Sequence, residues 1–114
     1  MRLTDIIRLT QARLATGDEI EGREIKNGFS SDLMSDVLTL DTEHMLLITG
    51  LANIQLIRTA EMADIEVVLL ARNKKATPDM IELAKETGLV IIETPYSIFR
   101  ASGILYENGL EPVY

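Results

Sequence analysis

The sequence predicts an α/β fold: a small, three-layer-like domain with a mainly parallel central sheet, in which three β-α units follow an N-terminal helix-strand-strand-helix. Three observations carry this expectation. Met45-Leu46-Leu47-Ile48, Val67-Val68-Leu69-Leu70 and Leu89-Val90-Ile91-Ile92 are continuous apolar runs, the pattern of strands buried on both faces, which belong to parallel sheets. Their starts at 45, 67 and 89 lie 22 residues apart each time, a length that suits a minimal β-α unit. Each run is followed by a polar turn and then by a segment with helical apolar spacing.

The elements follow in chain order. Leu3, Ile6 and Ile7 have helical spacing over two turns, and a short alternating piece around Gln11 to Ala15 reads as a strand. Thr16-Gly17-Asp18-Glu19 supplies turn chemistry, and Glu24 to Phe29 suits a second extended segment that bends at Gly28. Ser30-Ser31-Asp32 offers N-cap oxygens to a short helix whose stripe is Leu33, Met34, Val37 and Leu38. After the three apolar runs come helices over Asn53 to Asp64, Pro78 to Thr87 and about Pro95 to Glu107. Thr77-Pro78 and Thr94-Pro95 each place a capping hydroxyl before a proline, whose missing N–H is harmless at the first helical position. Gly88 and Gly109 sit where helix ends favour positive φ.

Composition narrows the function. The 114 residues, 46% hydrophobic and 25% charged, are expected to form one domain over 1–114. Eleven Lys and Arg against eighteen Asp and Glu give a net charge of -7, which opposes binding to nucleic acid or to an anionic membrane. The absence of cysteine excludes disulfides, thiolate catalysis and iron–sulfur ligation. No apolar run approaches the roughly 18 residues that span a bilayer, and the N-terminus lacks the pattern of a secretory or transit peptide, so the expected location is cytoplasmic. Residues 30–70 carry seven acidic groups and one basic, whereas Arg72, Lys74 and Lys75 cluster within four positions.

Right-handed crossovers place all three β-to-α turns at the carboxyl edge of the sheet, where open α/β sheets bind ligands. Those turns read Thr49-Gly50-Leu51-Ala52-Asn53, Arg72-Asn73-Lys74-Lys75 and Thr94-Pro95-Tyr96. Helix N–H groups with Arg72 or Lys74 suit the anionic group of a small ligand, and the candidate binding residues are Thr49, Gly50, Asn53, Arg72, Lys74 and Thr94. Catalysis has no constellation to rest on. Neither a Walker loop nor a dinucleotide glycine fingerprint is present, and the single histidine, His44, falls at the start of a strand, on the opposite edge. Asp32 and Asp36 stand one helical turn apart, but a carboxylate at a helix N-terminus already accounts for Asp32, so no metal or other cofactor is expected.

The stretch from Gly28 to Leu110 resembles the DRTGG domain family. The resemblance rests on SSDLMSDVL, on LLITGLANIQLI and on VIIETPYSIFRASGILYENGL, in which T-P-Y-S-x-F is the most specific piece. The N-terminal domain of HPr kinase/phosphorylase is distantly similar. Where such domains show G-D-R-x-D-I, this chain keeps Gly50 and Ile54 without the charges, and Ala71-Arg72-Asn73 stands in place of T-G-G. The resemblance implies a non-catalytic regulatory module and a homodimer. Two functions are therefore expected in alternative: a ligand-sensing module for a small anionic metabolite or adenine nucleotide, or an adaptor that engages a protein partner in a kinase or redox system with no small ligand.

Overall fold

The structure, a computed structural model, describes residues 1–114. The chain runs α1 (Leu3–Thr10), β1 (Arg13–Thr16), β2 (Asn27–Ser30), α2 (Met34–Val37), β3 (Met45–Thr49), α3 (Ile54–Met62), β4 (Val67–Leu70), α4 (Pro78–Thr87), β5 (Val90–Glu93), α5 (Ile98–Glu107) and β6 (Glu111–Pro112). One sheet holds all six strands in the order β1-β5-β4-β3-β2-β6. Every pairing is parallel except that of β1, which lies antiparallel on β5. The expected α/β class and mainly parallel sheet are what the chain forms.

Every residue of β3, β4 and β5 is buried. The pleat sends alternate side chains to opposite faces, so each apolar run feeds two cores. Leu47, Val68, Leu70 and Ile91 pack with Leu56, Ile57, Met80 and Ala84 on one face. Leu46, Val67, Leu69 and Ile92 pack with Leu3, Ile6, Ala101 and Leu105 on the other. Each fully buried aliphatic side chain contributes about 1.5–3 kcal/mol. The chain steps in one direction from β2 through β5, and right-handed crossovers then put α2, α3 and α4 on one face. After β5 it returns across the sheet to β6, which reverses the step and lays α5 beside α1 on the opposite face. No helix is long and apolar enough to cross a membrane.

Several local expectations are corrected. The last helix starts at Ile98, capped by Ser97, whose Oγ accepts the Arg100 N–H at 3.1 Å. Thr94 does not cap it: its buried hydroxyl donates to the Thr10 carbonyl at 2.6 Å and accepts the Tyr96 N–H at 3.1 Å. Thr77 does cap α4, accepting the Met80 N–H, with Pro78 at the first helical position. Leu33, not Asp32, occupies the N-cap of α2, while the Ser31 hydroxyl accepts the Leu33 N–H. Gly28 does not bend its strand. It stands in β2 with Leu110 so close that a Cβ would lie 2.8 Å from Leu110 Cδ2. That close approach delivers β6, a strand the sequence did not predict, to the sheet edge beside β2.

Candidate functional site

β4 and β5 are neighbours whose following helices pack on opposite faces of the sheet. Their carboxyl ends therefore part at a topological switch point, the place where α/β sheets offer a crevice. The loop leaving β4 is strained there: Arg72 and Asn73 both have positive φ, 60° and 59°, and each such non-glycine residue costs about 1–3 kcal/mol. The Lys74 N–H closes this tight turn on the Ala71 carbonyl at 3.2 Å. The β5 exit holds the loop in place. Arg72 N–H donates to the Tyr96 carbonyl at 2.7 Å and Asn73 N–H to the Thr94 carbonyl at 3.1 Å. The Ala76 N–H donates to Glu93 Oε2 at 2.7 Å, and this carboxylate is buried, with Arg13 the nearest cation at 4.0 Å.

The strained turn aims the Arg72 side chain back across β4 toward the end of β3. Its Nη2 donates to the Gly50 carbonyl at 3.3 Å and lies 3.6 Å from Asp32 Oδ2. Asp32 in turn accepts the Gly50 N–H at 2.7 Å and the Thr49 hydroxyl at 2.9 Å through Oδ1. The Gly50 hydrogen bond first, then that of Thr49 and the charge of Arg72, outweigh desolvation and hold the Asp32 carboxyl below the usual aspartate range. Gly50 is required by this approach and not by its backbone angles, because a Cβ there would meet the guanidinium, 2.7 Å from its carbon. A second guanidinium stands nearby: Arg100 Cζ lies 3.8 Å from the Tyr96 ring centroid. Tyr96 thus accepts the Arg72 backbone N–H on its carbonyl and carries the Arg100 guanidinium on its ring.

Of the candidate residues, Gly50 and Arg72 are in direct contact. Thr49 and Thr94 are fully buried, and both hydroxyls are engaged within the fold. Asn53 caps α3, its Oδ1 accepting the Leu56 N–H at 3.2 Å. Lys74 and Lys75 are exposed and form no ion pair. Three members of the edge were not anticipated: Asp32, Glu93 and Arg100. For Arg100 a signal existed, since Tyr96 and Arg100 are four residues apart at the start of a helix, a spacing that brings side chains together. His44 is exposed at the amino edge, with φ of 58°, in a separate cleft of about 590 Å³ lined by Asp41, Glu43, Glu61, Asp64 and Glu66. Chemically, the carboxyl edge is suited to binding: it pairs guanidinium and ammonium groups with one half-exposed carboxylate, and an oxyanion would compete with Asp32 for the Arg72 fork.

No family model matches the chain, and no curated protein matches it. Among solved structures it is similar to the CBS and DRTGG domains of the regulatory region of a Clostridium perfringens pyrophosphatase, complexed with its activator diadenosine tetraphosphate. The TM-score is 0.78 at 18% identity, over 97% of this chain and 47% of that one. The chain thus spans about half the length of the structure it resembles, and it shares the fold of the part it matches.

Proposed function

We propose that the chain is a non-catalytic regulatory module that binds a small anionic metabolite, an adenine nucleotide foremost, at the carboxyl edge of its sheet, and that it works as a homodimer. The observation that carries this reading is the Arg72 guanidinium, held over Gly50 by a strained turn and neutralised only by a half-exposed carboxylate, Asp32. Strain of this kind persists where the surrounding structure enforces it and is concentrated at functional sites. A phosphate offers the fork a bidentate partner in place of Asp32, Lys74 and Lys75 add unpaired positive charge, and the Arg100–Tyr96 stack provides a planar surface for a base. The likeness to a regulatory region that takes a dinucleotide activator supports the choice of ligand class.

A thermal-shift panel of nucleotides and phosphorylated metabolites tests the proposal. A ligand at 100 times its dissociation constant stabilises the protein by about 2.7 kcal/mol. Absence of any shift across the panel at millimolar concentration overturns the ligand reading. The adaptor alternative has its own support in the acidic cleft of the amino edge, which suits a cationic protein surface. Co-purification from native extract of a protein that Glu61→Lys and Asp64→Lys release would favour it.

A further inference from the structure

α5 buries Ala101 and Leu105 against the sheet, yet leaves Phe99 90% and Tyr106 69% exposed. Single exposed apolar residues need no explanation. These two are seven residues apart, which sets them on one stripe of the helix about 10.5 Å apart along its axis. Ser102 and Gly103 lie between them, and beyond its chain neighbours and the backbone of α5 itself nothing comes within 4 Å of the place a Gly103 Cβ would take. Beside the stripe runs a groove of about 330 Å³, lined by Gly28, Ser30, Phe99, Gly103, Tyr106 and Pro112, where the Ser30 and Ser102 hydroxyls pair at 2.7 Å.

We propose that this face seats a second copy of the chain, with the two α5 helices antiparallel about a twofold axis that passes between Ser102 and Gly103. The inference deepens the homodimer part of the proposed function and does not depend on the ligand. A twofold interface must be complementary to itself, and this stripe is. Phe99 and Tyr106 are equidistant from the midpoint, so the antiparallel pairing sets each Phe99 opposite the partner's Tyr106. The small residues meet at the centre, where they let the helices approach closely. The charges agree with the same direction. Arg100 and Glu107 share one flank of α5, and the antiparallel arrangement brings Arg100 beside the partner's Glu107 at both ends, whereas a parallel one would oppose like charges. The two aromatics contribute about 300 Å² per copy, the anchoring centre of an interface for which about 800 Å² per partner is standard. Groove walls and the flanking charges form its rim.

Sedimentation equilibrium of the full chain without ligand tests this. The wild type is expected to be a dimer at about 100 μM, and Gly103→Glu and Phe99→Ser are each expected to raise the dissociation constant at least about tenfold. A Cβ at Gly103 enters open space, and Phe99 is exposed, so both variants should keep the wild-type circular dichroism. Glu107→Lys is expected to weaken the dimer less. A wild-type monomer at about 100 μM, or a dimer that both Gly103→Glu and Phe99→Ser leave unchanged, overturns the proposal. Neither result bears on the nucleotide panel, so failure of the interface and failure of the ligand site are told apart.

Discussion

At the amino edge of the sheet, Asp41, Glu43, Glu61, Asp64 and Glu66 surround a cleft of about 590 Å³ that no lysine or arginine lines. At the carboxyl edge, Arg72, Lys74, Lys75 and Arg100 gather around the ends of β3, β4 and β5. The two edges are separated by the length of the strands, roughly 16 Å for a five-residue strand such as β3, which is about twice the screening length at physiological salt. Each edge therefore presents the field of its own residues. The net charge of -7 says little about either, and the acidic amino-edge cleft is poorly suited to an anion. Strain follows the same division only in part: His44 and Asp64 at the amino edge also have positive φ, but the strained turn at Arg72 alone delivers a side chain onto a neighbouring strand end.

The largest expected effect lies in the loop that separates the two edges in character. Glu93→Ala removes the buried acceptor of the Ala76 N–H and is expected to cost about 1.5–3 kcal/mol, as hydrogen bonds to charged groups do; urea unfolding measures it, with Glu93→Gln closer to wild type. Gly50→Ala pushes a methyl group into the Arg72 guanidinium. It is expected to weaken anion binding about tenfold, equivalent to 1.4 kcal/mol, with a smaller loss of stability; titration calorimetry separates the two.

A smaller effect concerns pH. Because the folded state holds Asp32 below the ordinary aspartate range, its stabilisation is complete above that range and is lost as pH falls through the folded value. Asp32→Asn is expected to flatten this acid limb of the stability profile. With about half of the side chain in solvent, the difference stays under about 1 kcal/mol. The smallest effect belongs to the amino edge: Glu61→Lys is expected to leave anion affinity unchanged and stability within about 0.5 kcal/mol, measured by the same titration and melting curves.

What could be read from the sequence was whatever local pattern decides. β3, β4 and β5 announce themselves as continuous apolar runs because both faces of each are buried. Thr77-Pro78 and Thr94-Pro95 look alike in sequence and diverge in space: Thr77 finds its partner three residues on, whereas Thr94 bonds to Thr10 across 84 residues. Asp32 likewise resembles a helix cap until Gly50 and Thr49, 18 and 17 residues away, claim its carboxylate. β6 is two residues long and includes a proline, which edge position tolerates but no periodicity reveals. For the candidate site, the basic turn at Arg72 was legible as charge. Its aim was not, since that depends on the space left by Gly50 and on the carbonyls of Thr94 and Tyr96.

The charge contrast between the edges becomes a binding difference only through Arg72. Titration calorimetry of an adenine nucleotide that stabilises the wild type, repeated on Arg72→Ala, tests this most directly. The account predicts that binding is lost in Arg72→Ala, while the unliganded melting temperature changes little because the Arg72–Asp32 pair is half-exposed on both sides. Unchanged affinity in a folded Arg72→Ala protein would contradict it.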